Sequence, residues 1–317
     1  MRIGLDFDNT LACYHQVFGQ IAREQGIVSK GWKGGKTELR SQLRSYPEGE
    51  LLWQRIQGLV YGKYMHRATM FPEIANFLLR LKAHGIKVSI VSHKTEFGHH
   101  DPEKVPLRDA ALNWLENHKF FGEEGLGLSR ESVYFANTRE EKVQRINHLK
   151  CDAFIDDLWE VFAEPTFPET TKKILFGEQG EQTLSLDFTS QSWREIGRYL
   201  LEDETEQDVQ TWIEYLAQHR LDGLTKVNGR ANSQVYRVQI ANKSCAVKWY
   251  PDLASDSRQR LLAESQASNF LREQGVEETL QFMKSAPELN LAMYGWIEGR
   301  RPTMQQPDRQ RLQVSEF

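Results

Sequence analysis

The sequence predicts a mixed α/β protein built on a parallel sheet, and three observations lead there. Short apolar segments suited to buried strands recur at Ile3 to Leu5, Lys87 to Ser92, Ala153 to Ile155 and Ile174 to Phe176. Between them lie stretches with helical spacing of apolar residues, as at Ile74, Phe77, Leu78 and Leu81. Strands alternating with helices give parallel strands joined by crossovers. Finally, three of the strand segments exit into reactive side chains: Asp6 and Asp8, then Ser92, then Asp156 and Asp157. Open α/β sheets collect their ligands at the carboxyl ends of strands.

Taken in order, the first segment ends in Leu5-Asp6-Phe7-Asp8-Asn9-Thr10. Residues two apart in an extended segment point to the same side. Two carboxylates so close repel, and a hard cation such as Mg²⁺ relieves that repulsion. One aspartate can then attack a phosphoryl group while the other handles a proton. Residues 11–70 follow as a mostly helical insertion, with Leu52, Ile56, Leu59 and Val60 on one helical face. This insertion carries nine Lys or Arg against four Glu and no Asp, which suits either a solvated surface or a lid that attracts an anionic substrate. Tyr14, Trp32, Trp53, Tyr61 and Tyr64 interleave with those charges. Core packing is the expected use of most of them, and stacking against a sugar or base is the alternative. Lys30 to Lys36, with Gly31, Gly34 and Gly35, reads as a flexible loop and a candidate specificity element.

Phe71-Pro72-Glu73 starts the helix that leads to the second strand. A hydroxyl at that strand's end, Ser92, can hold a phosphoryl oxygen. Lys142, in a helical segment from Glu140 to Leu149, can neutralise an aspartate and phosphate oxygens; Lys94 and Lys150 are nearby alternatives for that role. Asp156 and Asp157 suit completion of a metal site. The last helix of this part runs from Trp193 to Leu201, and the acidic stretch Glu202 to Asp208 reads as a solvated linker or helix start. A domain boundary is therefore expected near 203, dividing 1–203 from 204–317, with the insertion at about 12–70.

Beyond that boundary, Gly229 to Asn232 reads as a turn and Gln234 to Ile240 alternates as a strand. Cys245 to Tyr250 forms another strand with an inward lysine, Lys248, followed by a helix containing Glu264 and a final segment from Leu291 to Gly299. A strand lysine paired with a helix glutamate can hold nucleotide phosphates.

In these motifs residues 1 to about 200 resemble the haloacid dehalogenase-like (HAD) phosphohydrolase superfamily. Asp6-Phe7-Asp8-Asn9-Thr10 is similar to its first motif, Ser92 to the second, Lys142 to the third and Asp156-Asp157 to the fourth. The resemblance implies a Rossmann-like parallel sheet with a helical cap, and Mg²⁺ held by Asp6, the backbone carbonyl of Asp8 and Asp156, with Asp157 in support. It implies that Asp6 is the nucleophile and Asp8 the general acid/base. The fourteen positions from Lys142 to Asp156 are fewer than is usual in that superfamily. The C-terminal part resembles the N-terminal lobe of the aminoglycoside phosphotransferase and choline kinase-like family, a smaller α+β kinase-like lobe. That resemblance implies that Lys248 meets ATP phosphates, that Glu264 pairs with it and that Met293 to Ile297 line the adenine. No histidine follows residue 249, so a His-x-Asp catalytic loop is missing from this sequence. A nucleotide-binding lobe without phosphoryl transfer is the expectation, with self-association through the surface that a second lobe would cover.

At 317 residues the length suggests two domains, and 39% apolar with 26% charged residues is ordinary for a globular protein. A net charge of −4 and the lack of a large basic patch argue against nucleic-acid binding, and no apolar run is long enough to span a bilayer. Three scattered cysteines suggest neither a disulfide framework nor a metal site and point to the cytoplasm. The histidines His93, His99 and His100 read as a polar loop beside the active site rather than a metal site. Together these readings predict a Mg²⁺-dependent phosphatase acting on a small phosphorylated metabolite such as a sugar phosphate, through an aspartyl-phosphate. The alternatives are a non-catalytic nucleotide- or partner-binding module, or a truncated bifunctional phosphatase and small-molecule kinase.

Overall fold

The computed structural model describes residues 1–98, 103–178, 180, 184–227, 232–251, 256, 258–276 and 279–299. The chain divides into two units, Met1–His219 and Arg220–Phe317.

In the first unit the N-terminal apolar segment forms β1 (Arg2–Leu5), with Ile3 and Leu5 fully buried. The insertion after it is closed at its base by a two-stranded ladder, β2 (Ala12–Cys13) against β3 (Thr69–Met70). Between them lie α1 (Val17–Glu24), α2 (Lys36–Arg44) and α3 (Gly49–Tyr61). Tyr14, Phe18 and Trp53 are buried there, Phe18 stacking on Trp53 at 5.2 Å. These aromatics are the insertion's core rather than a ligand platform, each contributing about 1.5–3 kcal/mol by burial.

The chain then runs through α4 (Ile74–Ala83), β4 (Lys87–His93), α5 (Leu107–Asn117), β5 (Val133–Ala136), α6 (Arg139–Leu149) and β6 (Ala153–Asp156). It continues through α7 (Trp159–Phe162), β7 (Lys172–Phe176), β8 (Phe188–Ser190), α8 (Trp193–Leu201) and α9 (Glu206–Ala217). Six strands form one parallel sheet in the order β5-β4-β1-β6-β7-β8. The chain leaves β1 toward β4 and β5 on one side and later returns to build β6, β7 and β8 on the other. That reversal beside β1 is the switch point at which doubly wound sheets open a crevice. Gly4 is required inside β1, since a Cβ there would meet the Phe154 ring at 2.4 Å.

The boundary expected near 203 lies instead after His219, and Asp208 is not solvated. Thr205 caps α9, its hydroxyl accepting from the Asp208 amide at 3.2 Å. The Asp208 carboxylate is fully buried and accepts from Arg80 Nε of α4 at 3.1 Å, with His84 Nε2 also at 3.1 Å. Arg80 donates further to the carbonyls of Glu202 and Asp203. Removing either partner would strand a buried charge at a cost of about 3–5 kcal/mol, so α9 belongs to the first unit.

The second unit holds β9 (Gly223–Val227), β10 (Gln234–Ile240), β11 (Lys243–Trp249), α10 (Arg260–Glu273), β12 (Phe282–Ala286) and β13 (Leu291–Gly295). Its five strands form an antiparallel sheet in the order β12-β13-β11-β10-β9. Most of the turn expected at 229–232, and His99 and His100, lie outside the described residues. Among the described residues no helix is long and apolar enough to cross a membrane.

Candidate active site

The sheet brings the three strand-end motifs of the first unit to the ends of three neighbouring strands, β4, β1 and β6. Asp6 follows β1, its amide donating to the Ile155 carbonyl of β6 at 2.9 Å. Asn9 then adopts the left-handed conformation (φ 60°) and its amide closes on the Ala12 carbonyl at 2.9 Å, turning the chain back over the strand end. Asp156 ends β6, fully buried, with one oxygen accepting from the Leu158 amide at 3.0 Å.

Lys142 binds these two strands together. It lies in the first turns of α6, which Thr138 caps by accepting from the Glu141 amide at 3.1 Å. Its Nζ donates to Asp6 Oδ1 and Asp156 Oδ2, both at 2.6 Å, and lies 5.5 Å from the centre of the Phe154 ring. Lys150, an alternative for this role, is exposed and ends the same helix in the left-handed conformation (φ 53°). Lys94, the other alternative, is buried but serves a different carboxylate. Its Nζ lies 2.8 Å from Asp8 Oδ2 and 3.1 Å from Asp8 Oδ1. Tyr14 Oη donates to that second oxygen at 2.5 Å.

Oxygens of Asp6, Asp156 and Asp157 come within 4.8 Å of one another. The Thr10 hydroxyl lies 3.4 Å from Asp6 Oδ2 and 3.5 Å from Asp157 Oδ1. Burial pushes the Asp156 carboxyl up to about 7, Lys142 opposing the rise and Asp6 adding to it. Asp157 is driven well above the usual carboxylate range by burial first and then by Asp6 and Asp156. Burial pulls the Lys142 ammonium down, yet Asp156 and Asp6 outweigh it and hold the group above its ordinary value. Lys142 occupies one oxygen of Asp6 and one of Asp156; the second oxygen of Asp6 lies beside the Thr10 hydroxyl, and the second oxygen of Asp156 is the one that accepts from the Leu158 amide. A set of carboxylate oxygens is the donor chemistry that hard divalent cations select. The Ser92 hydroxyl, in β4, is buried and has no hydrogen-bond partner among the described residues.

Sequence reasoning did not anticipate Tyr14 as a donor to Asp8, the pairing of Lys94 with Asp8, or Thr10. It also did not foresee Lys36 Nζ donating to Tyr61 Oη at 3.1 Å. The signal for Lys94 was its place two residues past Ser92, at the exit of the same strand.

In the second unit, Lys248 of β11 donates to both oxygens of Glu264 on α10, each at 2.6 Å. Tyr250 Oη donates to the same carboxylate at 2.9 Å and shares a 2.8 Å hydrogen bond with Tyr294 Oη. Burial, then Tyr294, pushes the Tyr250 hydroxyl upward, so it stays a donor. Of the segment Met293 to Ile297, Met293 is packed in the core and Ile297 is exposed.

Comparison of the chain with protein-family models, with curated proteins and with solved structures gives no match.

Proposed function

We propose that the first unit is a Mg²⁺-dependent phosphohydrolase acting on small phosphate monoesters through an aspartyl-phosphate. The observation that carries this reading is the bridging of Asp6 and Asp156 by Lys142 at the switch point of a parallel sheet, with Asp157 within reach. Lys142 holds Asp6 Oδ1 and leaves Oδ2 as the attacking atom. That oxygen bonds to phosphorus, and the ester oxygen departs with a proton from Asp8. The Asp8 carboxylate then takes a proton from water, whose oxygen attacks the same phosphorus. The bond to Asp6 breaks, and inorganic phosphate leaves. Lys94 and Tyr14 orient Asp8 throughout, and the unpartnered Ser92 hydroxyl donates to a phosphoryl oxygen. The residues that would hold Mg²⁺ are Asp6, Asp156, Asp157 and the Asp8 carbonyl. Bound there, the cation supplies charge neutralisation for the phosphoryl oxygens.

The test is Mg²⁺-dependent phosphate release from phosphorylated sugars, polyols and nucleotides. Asp6→Asn should reduce turnover by roughly 10⁴-fold or more, as loss of a covalent nucleophile does elsewhere. Residual turnover within tenfold of wild type would remove Asp6 from the nucleophile's role.

The Lys248–Glu264 pair supports a second reading for the other unit, a nucleotide-binding module without phosphoryl transfer. In kinase-type sites a strand lysine held by a helix glutamate meets nucleotide phosphates. ATP titration followed by calorimetry tests it: binding that disappears in Lys248→Ala supports the module, and no heat in the wild type rejects it.

A further inference from the structure

Three lysines reach the candidate active site, and two of them are matched by carboxylates, Lys142 by Asp6 and Asp156 and Lys94 by Asp8. Lys36, the first residue of α2, is different. Among the described residues it forms no ion pair; its Nζ donates to Tyr61 Oη at 3.1 Å and stands 5.4 Å from the centre of the Phe18 ring. An ammonium carries three donors, so two remain for another partner. A lysine on a helical insertion usually extends its charge into water. Here the opening turn of α2 and the end of α3 fold the charge inward against aromatic rings, with no carboxylate in direct contact with it among the described residues.

The position of that charge relative to the chemistry follows from Tyr61. Lys94 Nζ lies 5.1 Å from the centre of the Tyr61 ring, Lys36 Nζ lies 5.9 Å from it, and the Tyr14 ring meets it edge-on at 4.9 Å. Lys94 and Tyr14 are the two groups that hold Asp8. Lys36 and the Lys94–Asp8 pair therefore share one aromatic ring as a neighbour, which places the Lys36 ammonium near the carboxyl that delivers a proton to the departing oxygen. Burial opposes the Lys36 charge, and Tyr61 first, then Asp157 and Asp8, outweigh it and hold the ammonium above its ordinary value.

We propose that Lys36 is the specificity residue of this site, and that it binds a second anionic group, carboxylate or phosphate, carried by the leaving part of the substrate. This rests on the phosphohydrolase reading above. A neutral sugar or polyol leaves the spare donors of Lys36 unused, whereas an anionic group completes a charge-assisted hydrogen bond.

The experiment compares three esters of similar size that differ in the charge of the leaving part: 3-phosphoglycerate, glycerol 3-phosphate and phosphoethanolamine. Wild type should favour 3-phosphoglycerate over glycerol 3-phosphate by roughly tenfold or more in kcat/KM, the usual scale of one charge-assisted hydrogen bond. Lys36→Met, which keeps the aliphatic stem, should bring that ratio close to one through KM. Lys36→Arg should retain the preference, and Lys36→Glu should move it toward phosphoethanolamine. Circular dichroism on each variant separates a charge effect from loss of α2. Turnover of all three esters by wild type with a ratio near one, unmoved in Lys36→Met and Lys36→Glu, overturns the assignment of Lys36 and leaves the phosphohydrolase reading standing. Failure of folded wild type with Mg²⁺ to turn over any phosphate ester overturns both.

Discussion

Each unit of this chain holds a lysine against carboxylate, and the two arrangements leave different charges behind. Lys142 is 2% exposed and is shared between Asp6 and Asp156, 7% and 0% exposed, with Asp157 alongside. Lys248 is 24% exposed and takes both oxygens of a single glutamate, itself 39% exposed. The second arrangement is electrically closed, with one cation, one anion and a tyrosine hydroxyl that completes the carboxylate's shell. In the first, a single ammonium faces three acids in a dry setting, and burial answers the surplus by pushing Asp156 and Asp157 toward their neutral forms. A closed pair is what packing alone would select. The metal site proposed above would complete that surplus with a ligand cation.

The comparison breaks most readily at Lys142. Lys142→Met keeps the volume of the side chain and removes the charge shared by Asp6 and Asp156. Two buried carboxylates then face one another unpaired, and the expected loss is about 3–5 kcal/mol in the denaturant-unfolding free energy of the first unit. Saturating Mg²⁺ should recover part of that loss, because a ligand that binds only the folded state stabilises it. A loss below about 1 kcal/mol would mean that the ammonium and the acids are closer to balance than the geometry implies.

A pH series sharpens the same contrast. The Asp156 carboxyl titrates at about 7 when folded against an ordinary value of 3.8. Between those limits the folded chain binds more protons than the unfolded chain, so stability falls as pH rises from about 4 to about 7. Asp157 is shifted in the same direction and steepens the fall. Each carboxylate contributes up to about 1.4 kcal/mol per pH unit. Thermal melts of the metal-free protein should therefore show the first unit losing stability across this window, with the slope reduced in Asp156→Asn and opposed by Mg²⁺. A flat profile would place these acids in a better-solvated setting than their burial suggests.

The parts of the site that the sequence made legible are those written within a few neighbouring residues. Asp6, Ser92 and Asp156 each stand where a buried apolar run stops, and an apolar run followed by a polar side chain can be read locally. The resemblance to phosphohydrolase motifs used the same local words. What stayed hidden depends on residues far apart in the chain. Asp208 reads as a solvated acid beside Glu206 and Glu204, yet Arg80, 128 positions earlier, buries it and carries α9 into the first unit. Lys94 looked like a rival of Lys142 because both are cations near strand ends; only the packing of β4 beside β1 assigns it to Asp8, 86 positions away. Most of the insertion's aromatics could be expected in its core, but periodicity does not say which of them would turn a ring toward Lys94 and Tyr14, the groups beside Asp8. Tyr61 does so because it is the last residue of α3, where the helix ends at Gly62.

The smallest effect is expected at the closed pair. Lys248→Ala removes a cation from a partly exposed carboxylate that keeps the Tyr250 hydroxyl as a donor, so solvent and Tyr250 absorb most of the change. Exposed ion pairs are worth about 0.2–1 kcal/mol, and the unfolding free energy of the second unit should move within that range. The same variant is the one that should abolish ATP binding if this unit is a nucleotide module. A residue that matters little to stability and decisively to a ligand is held in place for the ligand. Should Lys248→Ala instead cost several kcal/mol and leave nucleotide affinity untouched, the pair is a strut between β11 and α10. The contrast between the two lysines would then be one of burial alone.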